Sequence, residues 1–370
     1  MRNNRLKNIN TLYLLGAGAS YALTLPPRGS ASLKTTPLDF DFNKRIKNHK
    51  SNKNWVKESI EYHIKNWVGS ESLIDLGLEE AILKRAGNYD LLNAVHKVKL
   101  NRNRYSDAKC ENQDYINNLS HLITEVLHGC KQNTQSLATT FANSLFKLRT
   151  RKVNGKRKRV CPTNRVITFN YDTILDREIL HLGHLNEYSM YFDRIGNNLT
   201  TAENALTRRP ATEPFPYLIK LHGSTNWRVT ETDYKSIVSG ASNSRTRVPI
   251  WFDWKKTPSV TQAISPLIVP PLPNKPITTS SIFAHLWQCA FEYLHESRRL
   301  VIVGYSCPQT DSFAMSLLSN VRDSKLKEII VVDPEIYSLS KYKKLLVGAT
   351  TNTVKWIYYD NFYEYIQANS

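Results

Sequence analysis

The chain has 370 residues, of which 41% are hydrophobic and 22% are charged, a balance typical of a globular protein with one large domain or two smaller ones. Its formal net charge is +18, which favours a polyanionic partner such as a nucleotide, a nucleic acid or an acidic protein. The five cysteines are scattered and form no C-x-x-C pair. The sequence therefore predicts neither a disulfide framework nor a zinc module, and it favours reduced thiols in a cytoplasmic protein.

The N-terminal residues are basic, but no apolar stretch with a small-residue cleavage site follows them as in a signal peptide. The longest apolar runs have the length of strands and fall well short of the roughly 20 residues that a membrane helix needs. We therefore expect neither a secreted nor a membrane-spanning protein.

Apolar runs of strand length cluster at the two ends of the chain. They are Ile9–Leu15, Arg165–Phe169, Tyr217–Leu221, Pro266–Val269, Arg299–Tyr305, Glu328–Val332 and Val354–Tyr359. Most are continuous rather than alternating, which is typical of strands buried on both faces of a parallel sheet. Helical patterns over 282–296, 311–324 and 336–347 separate the later runs. This alternation predicts an α/β fold with a Rossmann-like, doubly wound and mostly parallel sheet.

Residues 43–159 have a different pattern, with apolar residues at helical spacing around 56–67, 116–126 and 136–148. We interpret them as a helical insertion, so that residues 1–42 and 160–370 together form the Rossmann-like domain. The insertion ends in a basic segment, residues 147–159, in which Asn154-Gly155 is a hairpin-turn signal. This segment is either a solvated loop or a short basic ribbon that contacts phosphates or an acidic partner.

The first strand is followed by Gly16-Ala17-Gly18-Ala19-Ser20. A G-x-G turn lets the backbone approach a pyrophosphate at the N-terminus of the next helix. Tyr21 stands where the dinucleotide fingerprint has its third glycine, and no acidic residue follows a clear second strand. The loop therefore indicates nucleotide-phosphate binding without the dehydrogenase pattern, the alternative being a tight turn without a ligand.

Two more polar motifs follow predicted strands. The segment Thr168-Phe-Asn-Tyr-Asp172 places an amide and a carboxylate where ligands gather at the carboxyl ends of strands, although Asn170 or Asp172 also fits a helix cap. His222, followed by Gly223, is placed to act as a general base near neutral pH, the alternative being a structural histidine.

The last two motifs are Gly304-Tyr-Ser306 and Asp333-Pro-Glu335, again after apolar strands. Ser306 is a candidate donor to a phosphate, and Asp333 or Glu335 a candidate acceptor from ribose hydroxyls, although ordinary turn chemistry explains either motif. Asp311 fits a helix cap. The triplet Glu178, His181 and His184 fits a helix surface better than a metal site, so we predict no bound metal.

Taken in this order, the five motifs resemble those of the SIR2-like (sirtuin) superfamily, which carries G-A-G-x-S, T-Q-N-x-D, H-G, G-T-S and a late acidic strand end. The resemblance implies that NAD is bound as the substrate. Asn170 would hold the nicotinamide ribose or a water molecule, Asp172 the carboxamide, and His222 would be the base. The other residues assigned to NAD binding are Gly16, Ala17, Gly18 and Ser20 near the pyrophosphate, Thr168 and Gly304, and Ser306 and Asp333 on the adenosine side.

The chain departs from deacetylating sirtuins at several points, which puts protein deacetylation in doubt. It lacks their two C-x-x-C zinc pairs, it has Leu25-Pro-Pro-Arg-Gly-Ser30 in place of G-I-P-D-F-R, and Phe169 replaces the sirtuin glutamine. The lack of zinc pairs resembles sirtuin-like domains in bacterial anti-phage defence proteins. The motifs T-F-N-Y-D, K-L-H-G-S and G-Y-S-x-x-x-x-D are also similar to those of these domains.

That resemblance implies hydrolysis of NAD to nicotinamide and ADP-ribose, which would deplete NAD in the cytoplasm when phage is sensed. It also implies a homo-oligomer and a regulating partner such as a HerA-like ATPase. Two alternatives come from other classes: an NAD-dependent protein deacylase or ADP-ribosyltransferase, and a non-catalytic nucleotide- or nucleic-acid-binding subunit. The net charge of +18 favours the last of these.

Overall fold

The computed structural model shows an α/β fold built on a parallel sheet with helices packed against it. It describes residues 9–25, 36–38, 41–64, 74, 117–128, 137–146, 150–153, 156–159, 164–182, 190–191, 199–201, 217–238, 248–254, 264–270, 281–308, 311–319, 321, 324–346 and 354–369.

The described strands and helices alternate for most of the chain. The strands are β1 (Thr11–Leu15), β2 (Thr150–Val153), β3 (Lys156–Arg159), β4 (Arg165–Thr168), β5 (Leu199–Thr201), β6 (Leu218–Lys220), β7 (Gly223–Thr230), β8 (Val248–Phe252), β9 (Ile264–Ile268), β10 (Arg299–Val303), β11 (Glu328–Val332) and β12 (Lys355–Tyr359). The helices are α1 (Ala17–Thr24), α2 (Phe42–Lys47), α3 (Asn54–His63), α4 (117–128), α5 (Leu137–Leu145), α6 (Ile174–His181), α7 (Glu231–Val238), α8 (Ser281–Glu296), α9 (Ser312–Ser319), α10 (Tyr337–Leu345) and α11 (Phe362–Asn369).

Six strands form the central sheet in the order β12-β11-β10-β1-β4-β6, and every neighbouring pair is parallel. All five residues of β1 are buried, and so are the last four residues of β10 and of β11. Because successive side chains of a strand point to opposite faces, both faces of the sheet are covered. The predicted Rossmann-like parallel sheet is confirmed.

Helices of one group, α1, α5, α6 and α11, contact one another, and aromatic side chains join two of them to the sheet. The ring of Tyr13 on β1 lies 5.1 Å from that of Phe141 on α5 and 6.4 Å from that of Tyr365 on α11, both edge to face. In a second group, α9 contacts α10, while α8 packs against β6. The apolar stripe predicted over 282–296 belongs to α8 and includes the buried Phe283, Leu286 and Ala290.

A second sheet, in the order β5-β8-β7-β9, extends from the end of β6. Only His222 and its neighbour Leu221 separate β6 from β7, which pairs antiparallel with β8 and β9. The predicted strand Pro266–Val269 corresponds to β9 and therefore lies in this mixed sheet, outside the parallel one. No sequence pattern predicted β7, because its polar residues interrupt the apolar run.

The predicted insertion contains helices with a small core of their own. Ile46 of α2, Val56 of α3, and Leu122 and Val126 of α4 are buried against one another. Helix α3 ends at His63, and both Trp67 and Ile116 of the predicted patterns lie outside the described residues. The two basic strands β2 and β3 form an antiparallel hairpin, which confirms a ribbon where the sequence left a loop as the alternative.

None of the helices in the described part of the chain is both long enough and apolar enough to span a membrane.

Candidate active site

The polar motifs lie at the edge of the central sheet where its parallel strands end. From β1 the chain adds β4 and β6 on one side, and it then returns to add β10, β11 and β12 on the other. The order therefore reverses between β1 and β10. In open α/β sheets the crevice at such a switch point, outside the carboxyl ends of the strands, is the usual ligand site.

The glycines at this switch point bring two backbones into contact. The amide of Gly16 donates to the carbonyl of Val303 at 3.0 Å, and that of Gly18 to the carbonyl of Gly304 at 2.9 Å. A Cβ atom on Gly18 would lie 2.8 Å from the Cα of Gly304, and one on Gly304 would lie 2.5 Å from the carbonyl carbon of Gly18. The close packing of the segments that follow β1 and β10 is therefore enough, without any ligand, to require glycine at both positions. Their predicted contact with a pyrophosphate stays a prediction.

Ser20, Asn170 and Asp172 are joined by direct hydrogen bonds. The Ser20 hydroxyl donates to Asp172 Oδ2 at 2.6 Å, and the Asn170 amide nitrogen Nδ2 donates to Ser20 Oγ and to the carbonyl of Gly16, each at 2.7 Å. Thr168 Oγ1 accepts from the backbone amide of Asn170 at 3.0 Å, which fixes the turn after β4. The glycine loop and the T-F-N-Y-D motif, predicted separately, thus form one polar cluster.

Asp172 also caps a helix, as the alternative interpretation proposed. Its Oδ1 accepts from the backbone amide of Ile174 at the start of α6, at 3.1 Å. The side chain therefore uses one oxygen for the cap and the other for Ser20. Asp172 therefore both caps α6 and belongs to the polar cluster.

A buried lysine supports the same turn from the neighbouring strand. Lys220, at the end of β6, donates to the backbone carbonyl of Asp172 and lies 3.1 Å from the carboxylate of Asp176. Burial raises the pKa of Asp176, and the Lys220 ammonium and the Tyr191 hydroxyl oppose that shift. The ammonium is thus placed to neutralise a carboxylate and to hold the turn that carries Asn170.

His222 and Asn170 lie at equivalent positions after the neighbouring strands β6 and β4. Thr168 pairs with Lys220, and the amide of Leu221 donates to the carbonyl of Thr168 at 3.1 Å, so Asn170 and His222 occupy equivalent positions beyond the two strands. Gly223 follows with φ +83°, and a Cβ there would lie 2.0 Å from the carbonyl oxygen of Leu267. The turn that presents His222 therefore requires glycine.

His222 is 5% exposed, and its ring lies among aromatic rings. Ring centroids of Phe169, Trp287 and Tyr171 lie 5.6, 6.1 and 6.2 Å from its own. The backbone of His222 accepts from the amide of Val269 at 2.8 Å, while the Tyr171 hydroxyl donates to the carbonyl of Val269 at 2.9 Å. The second sheet therefore fixes the position of the predicted base.

Asp311 is the residue of this site that sequence reasoning placed only as a helix cap. Its Oδ1 does accept from the amide of Ala314 at 3.4 Å, but Oδ2 lies 4.0 Å from Nε2 of His222 and accepts from the Tyr305 hydroxyl at 3.0 Å. Burial, with Asp311 nearby, raises the pKa of Tyr305 well above its ordinary value, so its phenol stays a donor. The motif G-Y-S-x-x-x-x-D also ends at Asp311, but neither it nor the cap signal predicted a place beside His222.

The adenosine-side residues are less closely connected to the cluster. Ser306 is exposed and its carbonyl accepts from Lys341, while Asp333 Oδ1 accepts from the amide of Glu335 at 2.9 Å. The bond at Asp333 is a turn interaction, as the alternative interpretation of that motif expected, whereas the bond at Ser306 comes from a lysine on α10. Their predicted roles toward phosphate and ribose are not supported by a bond to the cluster within the described residues.

Two cavities in the described structure bear on where the site lies. One of about 320 Å³ lies between α3 and α4 and is lined by Trp55, Tyr62 and His63 among others. A smaller cleft adjoins the polar cluster at Asp172 and is bordered by His128 and Arg177. We place the candidate site at the switch point, where the hydrogen-bonding groups converge; the smaller cleft borders it at Asp172, whereas the larger cavity lies between α3 and α4. Within the described residues, no group of three or more His, Cys, Asp or Glu is arranged to hold a metal ion.

The fold and these contacts define an α/β protein with a polar cluster at the switch point of a six-stranded parallel sheet. No protein-family profile and no curated protein matches the chain.

Proposed function

We propose that the chain is an NAD glycohydrolase of the sirtuin-like class, which cleaves the bond between nicotinamide and ribose. The observation that carries the proposal is the hydrogen-bonded cluster of Ser20, Asn170 and Asp172 at the switch point, with His222 two residues beyond the adjacent strand. An amide, a carboxylate and an imidazole at this edge suit a ribose, a carboxamide and a proton acceptor, respectively.

In the proposed reaction, a water molecule attacks the anomeric carbon of the nicotinamide ribose. The carbon–nitrogen bond breaks with its electron pair going to nicotinamide, which leaves as a neutral molecule, and the ring passes through an oxocarbenium-like state. Asn170 orients the ribose and the water, and His222 takes the proton of the water directly or through a ribose hydroxyl. The products are nicotinamide and ADP-ribose, and the proton passes from His222 to solvent.

Asp311 has a supporting role in this scheme. The imidazole becomes positively charged when it accepts the proton, and a buried carboxylate 4.0 Å from Nε2 stabilises that charge. Tyr305 donates to the same carboxylate oxygen and stacks on Phe169 with 4.1 Å between ring centroids. Because Phe169 also contacts the His222 ring, these groups hold the base in one orientation.

The wider role follows from the resemblance alone. We propose an anti-phage effector that depletes NAD in the cytoplasm, acts as a homo-oligomer and is released from inhibition by a partner such as a HerA-like ATPase.

The test is incubation of the purified chain with NAD, with nicotinamide and ADP-ribose followed by chromatography. We expect release by the native chain and at least a roughly hundred-fold loss in His222→Ala and in Asn170→Ala, because general-base and positioning effects are of that size. His181→Ala, which removes an exposed histidine at the end of α6, and Asn361→Ala, which removes an exposed helix-capping amide, are the matched controls and should keep full activity.

Thermal unfolding of each variant shows whether the fold persists. Full activity in both site variants would contradict the residue assignment. Transfer of acyl groups from a peptide without free ADP-ribose would favour the deacylase alternative. A native chain that neither hydrolyses NAD nor binds it would contradict the proposed function as a whole.

A further inference from the structure

A series of side-chain hydrogen bonds begins on β7, directly after the turn that presents the predicted base. The Ser224 hydroxyl donates to Oδ1 of Asn226 at 2.6 Å, and Nδ2 of Asn226 donates to the Tyr191 hydroxyl at 3.2 Å. The Tyr191 hydroxyl donates in turn to the carboxylate of Asp176 on α6. These bonds therefore connect the start of β7 to the first turn of α6.

The same series continues to the turn that follows β4. Nζ of Lys220 lies 3.1 and 3.3 Å from the two carboxylate oxygens of Asp176, and it also donates to the backbone carbonyl of Asp172. Asp172 stands two residues after Asn170 in the sequence. The series thus starts next to one candidate site residue and ends next to another. We call it the Lys220 network, and its side chains are those of Ser224, Asn226, Tyr191, Asp176 and Lys220.

The Lys220 network is almost completely withdrawn from water, because each of its five residues is at most 2% exposed. Removal of a lysine and an aspartate from water carries a large desolvation cost, and apolar residues of similar volume are often as stable or more stable in their place. A buried polar network in which the groups satisfy one another instead holds its members in one arrangement. Stability alone therefore does not explain the ion pair of Lys220 and Asp176.

The bonds from the β6–β7 side hold successive carbonyl groups of the turn that carries Asn170. The backbone amide of Thr225 donates to the carbonyl of Tyr171 at 2.9 Å, and the next carbonyl along the turn is the one that Lys220 holds. His222 lies between Lys220 and Thr225 in the sequence. The segment with the predicted base therefore grips the segment with the predicted ribose-binding amide on both sides of His222.

From this arrangement we propose that Lys220 is a positioning residue, which fixes Asn170 relative to His222 through the backbone of the intervening turn. The inference rests on the proposed hydrolysis of NAD, in which Lys220 acts through Asn170 and does not contact the reacting atoms. A displacement of about 1 Å in a positioning group can cost roughly a hundred-fold in rate. Loss of the Lys220 bond should therefore lower turnover more than it weakens NAD binding.

Two variants separate positioning from folding. Lys220→Met removes the bond to the Asp172 carbonyl and also leaves the Asp176 carboxylate without its counter-ion, so the melting temperature should fall. Lys220→Met combined with Asp176→Leu removes both charges and should regain most of the lost melting temperature, because no uncompensated charge stays buried. Lys327→Met, at an exposed position, is the matched control and should equal the native chain in melting temperature and turnover.

Turnover of NAD is measured at a temperature at which thermal unfolding shows every variant to be folded. We expect kcat to be at least about ten-fold lower in Lys220→Met and in the double variant, with KM for NAD within about three-fold of the native value. The pH dependence of kcat should keep its shape in both, because His222 is unchanged. Native kcat in the double variant, or a higher KM with unchanged kcat, would overturn the inference. Loss of the acidic limb of the pH profile would do the same, since Lys220 would then act as the base itself.

Hydrogen exchange followed by mass spectrometry tests the position of the turn without NAD. Backbone amides of residues 169–174 should exchange at least about ten-fold faster in the double variant than in the native chain, while those of β1 should keep their protection. Unchanged exchange of residues 169–174 would contradict the role of Lys220 in holding the turn. Absence of turnover by the native chain would instead contradict the proposed hydrolysis of NAD, so the two failures are distinguishable.

Discussion

Asp311 combines a structural role with a place in the candidate site. One carboxylate oxygen caps α9, and the other contacts His222 and Tyr305. The sequence predicted the cap because an aspartate before a helix is a local signal. The pairing with His222 depends on the return of the chain from β6 to β10, a long-range feature that no spacing of residues in the sequence encodes.

Asp311→Asn separates these two roles. The amide oxygen can still cap α9, but the negative charge beside His222 is lost. We expect NAD turnover to fall at least about ten-fold with little change in the melting temperature, because the protonated imidazole loses its neighbouring anion.

Chromatographic rates and thermal unfolding on the same samples check this expectation. Asp360→Asn, at an exposed position after β12, is the matched control and should change neither quantity. Unchanged turnover in Asp311→Asn would leave Asp311 with the cap alone.

At the scale of elements, the contact between β10 and the start of α1 is made by bare backbone. Gly304 has φ +52°, in the left-handed region that favours glycine, and it packs against Gly18. The space between the two backbone segments admits no Cβ on either residue. The sequence predicted these glycines for contact with a ligand, but it could not show that the partner of each glycine is another glycine of the same chain.

Gly304→Ala should lower the free energy of unfolding by at least about 2 kcal/mol. The left-handed conformation alone costs an alanine roughly 1–2 kcal/mol, and its Cβ would also overlap the backbone of Gly18. Ser306→Ala, an exposed change two residues further on, is the comparison and should be nearly neutral. Denaturant unfolding measures both, and equal stability of the two variants would contradict the packing argument.

The elements of the central sheet were predictable because their apolar runs are continuous. The strand predicted at Arg165–Phe169 differs from β4 only at its last residue, and the helix predicted over 282–296 is α8. Strand β7 was missed for a physical reason. Its residues Ser224, Asn226 and Arg228 are buried through hydrogen bonds and an ion pair rather than through apolar contacts, so no hydrophobic pattern marks them.

At the scale of the whole molecule, acidity should weaken the packing of α2 and α3 before the central sheet. His63, at the end of α3, is 1% exposed, and its Nε2 donates to Oδ1 of Asn43 at 3.1 Å. Burial lowers its pKa from 6.5 to about 4. Between these two values the unfolded chain takes up a proton that the folded chain does not, so stability is present above pH 6.5 and falls as the pH falls toward 4.

His63→Gln removes this dependence. We expect the native chain to lose at most about 2 kcal/mol at pH 5 relative to pH 7 through His63, and the variant to lose correspondingly less. Melting temperatures of both chains across that range measure the effect. His181→Gln, at an exposed position, is the control and should keep the pH dependence of the native chain. The same slope in all three chains would show that His63 does not contribute.

The position of β1 has a consequence for how the molecule is made on the ribosome. This strand is the first element of the described chain, yet its two neighbours in the sheet begin at residues 165 and 299. At about 5–20 residues per second, its first partner emerges on the order of ten seconds later. An apolar strand with two open edges is prone to aggregate during such an interval. Arg2, Arg5 and Lys7 directly precede it in the sequence, and charges that flank an apolar strand act as gatekeepers against that association.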